Sequence, residues 1–537
     1  MQKITVLLAV LFFILPAYSQ RVFTEVSDSI GLGYIYPGND FQLAGGGLMV
    51  IDVNNDGWED LYQSGGVFDS KLWVNNQGVF YDATDDFGLD ALYGYFIQGA
   101  VSADYDNDGF EDFFVANFGK GFGQGDKHAP VLLHNVKGER FEPIFLDSIL
   151  PAENYASACW GDINNDGFVD LYVANYVKTM SGLHDQKGKP IGYNPTCYEN
   201  KLLINIEGKY FEEQAEKFGL NDSGCGLAVS LTDFDNDNDL DLLLLNDFGE
   251  WTKEGNKVFR NNYPELSFTN ISKAVGFDQE IYGMGIGQGD FNNNGQIDYY
   301  ITNIGRNYLF TYEDSLFTDQ AEKLGVDIPF VYDSIYGTSW SGLFFDLEFD
   351  GDQDLYVAKG NVATLVPPAA ISDANKLFIN EGGKFLDKTT ESGLSDVLSH
   401  RGAVVFDFDH DGDLDIISSV VKLPWAAFAG KEQKIKAYQN EAEAGNYVGI
   451  KLKGMHPFNR SAIGARVIFN QNGVKSIREV DGGSGHASQG TKIIYFGLGN
   501  KKSLDEVQIN FGDDNWISIK ELKHGKIYTI DSEGKVE

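Results

Sequence analysis

A nine-residue acidic frame recurs seven times along this chain, and that recurrence limits the fold more than any other feature. The frame begins at Asp52, Asp104, Asp162, Asp233, Asp290, Asp346 and Asp407. Successive starts are 52, 58, 71, 57, 56 and 61 residues apart. A near-regular period of this size is the signature of a repeat architecture, in which each unit buries its apolar face against its neighbours.

Asp104-Tyr105-Asp106-Asn107-Asp108-Gly109-Phe110-Glu111-Asp112 shows the frame in full, with oxygen-bearing side chains at positions 1, 3, 5 and 9 and glycine at position 6. Alternate hard oxygen donors around a tight turn suit Ca²⁺, and the pattern is like the first part of an EF-hand loop without its glutamate at position 12. A strand-like run, Phe113-Phe114-Val115-Ala116, follows, so the loop is expected between strands. The expected ligands are Asp52, Asn54, Asp56 and Asp60 in loop 1, and Asp104, Asp106, Asp108 and Asp112 in loop 2. Loop 3 offers Asp162, Asn164, Asp166 and Asp170, and loop 4 Asp233, Asp235, Asp237 and Asp241. Loop 5 offers Asp290, Asn292, Asn294 and Asp298; with two carboxylates it should bind most weakly. Loop 6 offers Asp346, Glu348, Asp350 and Asp354, and loop 7 Asp407, Asp409, Asp411 and Asp415. The backbone carbonyl at position 7 completes each set, giving up to seven structural Ca²⁺. Loop 4 carries Asn238 in place of glycine, which asparagine's tolerance of positive φ allows. The competing reading of each loop is an Asx-rich turn without metal.

The formal charge of −38 fits that chemistry. Positions 1, 3, 5 and 9 of the frames hold 24 of the 79 acidic residues, and seven divalent cations would leave about −24. No basic patch interleaved with aromatics is present, which argues against nucleic acid as a partner. Residues 1–19 read as a signal peptide: Lys3, an apolar run over 4–15, and Ala17-Tyr18-Ser19 as a small-x-small cleavage site. The run is short for a membrane span, and no other stretch approaches one. The expected location is therefore secreted, periplasmic or at the cell surface. Of the three cysteines, Cys197 and Cys225 are candidates to pair, whereas Cys159 reads as a buried small hydrophobe.

Each repeat contains an F-x-(D/E) segment, a small-residue strand, the acidic loop, a strand rich in aromatic and β-branched residues, and an L-x-x-N strand. The last occurs at 72–75, 132–135, 202–205, 258–261, 377–380 and 437–440; the fifth copy, 308–311, ends in threonine. About four strands per unit predicts an all-β fold, a seven-bladed β-propeller over residues 20–440. The chain opens with an F-x-E piece at Phe23 and its last repeat lacks one, so the N-terminal strand should complete the last blade. Insertions at 178–199 and 118–130 should project from one rim, where binding is often found. Residues 446–535 lose the repeat and read as a small β-sandwich-like domain. Gly482-Gly483-Ser484-Gly485 precedes no helix, so it is not read as a phosphate loop.

Both parts together resemble the cartilage acidic protein family and its bacterial relatives. The loops with their L-x-x-N and F-x-D partners are similar to FG-GAP or VCBS repeats. Ser461 to Val467, Arg478 to Gly483 and Tyr495 to Gly499 are similar to the ASPIC and UnbV type domain. The resemblance implies a calcium-dependent extracellular protein without a defined shared activity. The expected function is a non-catalytic binding or adhesion module whose partner is an extracellular protein or glycan. A carbohydrate-active propeller, lectin or polysaccharide lyase, is the alternative, and an envelope spacer is a third reading. No nucleophile elbow, zinc pattern or catalytic triad stands out. His410, at the fourth position of loop 7, is expected to face solvent, and His486 to lie in a flexible segment.

Overall fold

The computed structural model describes residues 22–35, 45–119, 128–188, 190–332, 334–362, 373–423, 430–442, 445–471, 473–513 and 515–537. The signal-peptide segment and most of the Gly-rich stretch at 118–130 lie outside them. The described chain is all-β, dominated by antiparallel four-stranded sheets. Seven of these follow one plan, in which an acidic loop joins the first strand to the second. In the fourth sheet the strands are Gly226–Thr232, Asp241–Asn246, Lys257–Asn261 and Phe268–Asn270, hydrogen-bonded in chain order. Position 9 of every loop opens the second strand, as at Asp60, Asp112, Asp298 and Asp415. The seventh sheet takes its fourth strand from the N-terminus, as expected: Phe23–Glu25 pairs antiparallel with Lys436–Asn440, Phe23 opposite Asn440.

Aromatic and β-branched side chains fill the spaces between consecutive sheets. Tyr62 and Val74 of the first sheet share a cluster with Phe113 and Leu133 of the second. Val404 and Ile417 of the seventh share another with Leu48 and Leu61 of the first. The first strands are rich in small residues because the backbones approach closely: a Cβ on Gly285 would lie 2.3 Å from the Trp340 carbonyl oxygen.

A second linkage explains the asparagine of the L-x-x-N strand. Asn135 donates from Nδ2 to the Glu111 carbonyl of its own loop (3.1 Å) and to the Val53 carbonyl in loop 1 (2.8 Å). Asn205 reaches Tyr105, Asn261 reaches Ile163, Asn380 reaches Phe291 and Asn440 reaches Leu347 in the same way. Asn75 of the first sheet reaches Phe408 of the seventh at 2.8 Å. The fifth sheet lacks the asparagine, and Gln296 in its loop supplies the bond to Phe234 instead.

Beyond residue 445, Asn446–Lys453 lies between Ile493–Gly499 and Lys526–Asp531, pairing in parallel with the latter. A second sheet runs Val474–Glu479, Arg466–Gln471, Ser503–Asn510, Ile517–Lys523. Phe469 of one sheet stacks on Phe496 of the other, with ring centroids 4.3 Å apart. Their shared core continues into Trp160 and Tyr155 of the third sheet.

One sequence expectation needs correction, and one open question closes. His410 is exposed, as expected, and stacks on Trp58 of loop 1, centroids 3.7 Å apart. His486 is fully buried, because residues 482–490 run against strands of the first, third and fifth sheets. There Gln489 exchanges backbone bonds with Leu48 and Val50, Gly485 donates to Ile286, and the Gly482 carbonyl accepts from Trp160. Cys197 and Cys225 form a disulfide, and Cys159 is buried and free. The bridge ties the 178–199 insertion, a hairpin of Val177–His184 and Pro190–Cys197, to the fourth sheet.

Candidate metal centres

Each loop is folded by its own carboxylates before any ion is considered. The position-1 aspartate turns the chain by accepting from the backbone N–H groups of positions 5 and 6. Asp104 takes those of Asp108 and Gly109 at 2.9 and 2.8 Å, and Asp290 those of Asn294 and Gly295, both at 2.9 Å. The position-5 side chain accepts from position 7, as Asp108 does from Phe110 at 2.9 Å. Position 9 anchors the loop to the sheet: Asp60 accepts from Val53 N (2.9 Å) and from Asn75 N (2.8 Å).

The turn needs positive φ at two places. Position 6 has it, including Asn238 at 75°. Position 4 has it too, in Asn55, Asn107, Asn165, Asn236, Asn293, Phe349 and His410, with φ from 52° to 64°. Five of these seven are asparagine, the residue that tolerates this region best after glycine, so the sequence carried that signal. The asparagines also join neighbouring loops. Asn55 donates to the Gly109 carbonyl at 2.8 Å and Asn107 to the Gly167 carbonyl at 2.9 Å.

Among the described residues, three-carboxylate groups with ligand atoms within 4.8 Å of one another form in loops 2, 4 and 7. They are Asp104, Asp106 and Asp108; Asp233, Asp235 and Asp241; and Asp407, Asp409 and Asp415. These loops carry four aspartates each. A fourth group adds a ligand the sequence reading missed, His134 with Asp106 and Asp112. His134 Nδ1 lies 3.1 Å from Asp112 and 3.6 Å from Asp106. His134 is the residue before the asparagine of its L-x-x-N strand. The equivalent Gln439 donates to Asp409 at 2.6 Å, and the equivalent position in the fourth repeat is Arg260. In the first, third and sixth repeats this residue is Val74, Ile204 and Ile379. A polar residue here thus accompanies the four-aspartate loops.

The oxygens fit a divalent cation. Buried carboxylate oxygens without a hydrogen-bond partner include Asp235 Oδ1 and Asp241 Oδ2 in loop 4, Asp298 Oδ1 in loop 5, Glu348 Oε2 in loop 6 and Asp407 Oδ1 in loop 7. A buried, unpaired carboxylate is costly, and several together repel one another. Burial, reinforced by neighbouring aspartates, holds Asp407 up at about 7 and Asp104 at about 8; burial also holds Asp415 at about 9. A hard dication removes that penalty and attracts the ionised forms. Loops 1 and 3 present fewer carboxylates, with Asn54 and Asn164 donating to Asp56 and Asp166 at 3.0 Å each.

The 446–537 region lies against this acidic face. Arg466 Nη1 is 2.7 Å from Asp233, both buried, and Arg460 Nε is 3.4 Å from Asp104. Ile477 N donates to Asp290 at 3.0 Å and Gly497 N to Asp346 at 3.2 Å. Lys451 Nζ stands 3.8 Å from Asp52.

The ASPIC and UnbV family model matches residues 456–537, and the FG-GAP-like repeat model matches 104–173 and 233–301. Cartilage acidic protein 1 of Xenopus tropicalis is 24% identical, the match covering 95% of this chain and 76% of that protein. The Homo sapiens cartilage acidic protein 1 is 26% identical, with the same 95% and 76% coverage. Among solved structures, the BP39L lectin from Burkholderia pseudomallei aligns at a TM-score of 0.41 and 9% identity, over 75% of this chain and 97% of that one. A Bacillus licheniformis rhamnogalacturonan lyase aligns at 0.38 and 9% identity, over 78% and 76%. At those scores the two structures carry no functional argument. No helix among the described residues is long and apolar enough to cross a membrane.

Proposed function

We infer, on the premise that this chain belongs to the cartilage acidic protein family, that it is a secreted, periplasmic or cell-surface calcium-binding protein acting as a non-catalytic binding and adhesion module. In this reading the seven sheets are blades of a propeller spanning 20–440, joined edge to edge by the asparagine links, and 446–535 is a separate β domain seated on the acidic face. The side chains at positions 1, 3, 5 and 9 of each loop hold up to seven Ca²⁺, with loops 2, 4 and 7 binding most tightly. The ion offsets the carboxylate repulsion and fixes the turn from which each blade's second strand departs. The observation carrying the reading is the set of buried, partnerless carboxylate oxygens in the clustered loops 4 and 7. A second reading, carbohydrate binding, is favoured by an aromatic-lined cavity at the opposite end of the sheets.

Metal analysis after native purification, with thermal melts in calcium and in EDTA, tests the metal reading. Several equivalents of calcium and a large fall in Tm on chelation are expected. Near-zero metal content together with an unchanged melt would overturn it.

A further inference from the structure

The acidic loops sit where first strands end and second strands begin. At the other end of the same sheets is a cavity of about 670 Å³. That size suits a small-molecule ligand. Its wall is aromatic. Phe248 stacks on Trp251 with centroids 5.7 Å apart, Tyr282 meets both edge-on, and Tyr193 of the disulfide-tied hairpin leans on Trp251 at 5.1 Å. Phe248 holds φ of 60°, a left-handed conformation costly for an aromatic residue, and this places the Gly249–Thr252 turn at the mouth.

The floor is a buried cation. Arg401 is 1% exposed and lies 4.0 Å above the Trp340 ring. Its Nη1 donates to the carbonyls of Gly360 and His400 and to Ser399 Oγ, while Nε has no partner. Among the described residues no carboxylate forms an ion pair with it. A buried guanidinium without a counter-charge is expensive and calls for an anion. Beside it, His486 donates from Nδ1 to the Met284 carbonyl at 2.8 Å, leaving Nε2 as a buried acceptor with no partner. Burial lowers His486 to about 4, so the ring is neutral. The rest of the lining carries both signs, with Arg306 beside several acceptors. Asp247 accepts from Tyr176 at 2.5 Å, Glu250 from Tyr282 at 3.1 Å, and Glu280 also lines the cavity.

We propose that this cavity binds a single carboxylate-bearing pyranose, a uronic acid. Its carboxylate pairs with Arg401, a hydroxyl donates to His486 Nε2, the C–H face of the ring lies on the Trp251–Tyr282 wall, and outer hydroxyls donate to the carboxylates at the mouth. An aromatic acid would satisfy Arg401 but offers no hydroxyls to those acceptors. This rests on the binding-module reading but needs no loop metal as a ligand.

The test is calorimetric titration of the calcium-loaded protein with methyl β-galacturonide and methyl β-glucuronide, with methyl β-galactoside and benzoate as comparators. Binding of at least one uronide, tenfold or more tighter than either comparator, is expected. Trp251→Ala, at the cavity mouth, should weaken it tenfold or more with melt and calcium content unchanged. Arg401→Gln should erase the preference for the acid over the neutral glycoside. Absence of uronide binding, benzoate binding as tightly, or indifference to Trp251→Ala would each overturn the proposal. Calcium content read on the same samples separates failure of the cavity from failure of the metal reading.

Discussion

Asn135 shows how one side chain can couple two sheets. It is fully buried and spends both Nδ2 hydrogens on carbonyls of two different loops, while its Oδ1 accepts from Gly138 N at 2.8 Å. Asn135→Ala would strand two carbonyls and one N–H, each worth about 1–3 kcal/mol when buried unpaired. A loss of about 2–5 kcal/mol is expected from denaturant unfolding. Gln296→Ala, which removes the one bond that replaces the missing asparagine of the fifth sheet, should cost less, about 1–2 kcal/mol. The turns of the acidic loops were legible because their spacing is local. The asparagine was legible as a pattern but not as a linker, because its second partner sits in another repeat. His134 was missed because it lies outside the nine-residue frame, reaching loop 2 from a strand 22 residues beyond Asp112. The stacking of exposed His410 was not legible, because its partner, Trp58, lies at the far end of the repeat region.

At the scale of elements, the N-terminal strand is small but placed where little can replace it. Phe23 is 1% exposed and packs with Tyr356 and Tyr438. Val26 N donates to the Ala437 carbonyl, and Glu441 N to the Val22 carbonyl. Deleting residues 22–26 would expose the Lys436–Asn440 strand as an open edge and uncover the Phe23 pocket. Loss of that phenylalanine alone costs roughly 3–5 kcal/mol. A markedly lower Tm and concentration-dependent aggregation are expected, the latter from the unpaired edge, measurable by light scattering during the melt. This strand could be assigned from sequence because an orphan F-x-E piece and an incomplete last repeat fit one another. The 178–199 hairpin and its disulfide could not, since a Gly- and Pro-containing insertion gives no period and two cysteines 28 residues apart need not meet.

At the scale of the molecule, the acidic face is a store of held-back charge. Burial raises Asp60 and Asp104 to about 8, Asp162 and Asp407 to about 7, and Asp415 to about 9. Unfolded aspartates titrate near 3.9. In metal-free protein these groups therefore bind more protons folded than unfolded. Their contribution to stability is full below about pH 4 and is lost as pH rises through roughly 7 to 9. In EDTA, Tm should fall between pH 6 and 9. With saturating calcium the fall should shrink or reverse, because the ion selects the ionised carboxylates, and calorimetry in buffers of differing ionisation enthalpy should detect proton release on binding. A melt in EDTA that rises with pH over that interval would contradict this account. The existence of the 446–537 region was readable from the loss of the repeat. Its seat on the loops was not, because Arg466 meets Asp233 and Arg460 meets Asp104 across several hundred residues of chain.

The segment at 482–490 has a consequence in time as well as in space. Leu48 N donates to Ser488 Oγ, and Gly99 leaves room for Ala487, whose carbonyl oxygen would lie 2.3 Å from a Cβ added there. The earliest sheets are therefore finished by residues 440 positions later in the chain. Contacts this distant in sequence form slowly and leave partly folded sheets exposed while they wait. A chain built this way can begin folding during synthesis but cannot finish its first sheets until residues 482–490 have emerged.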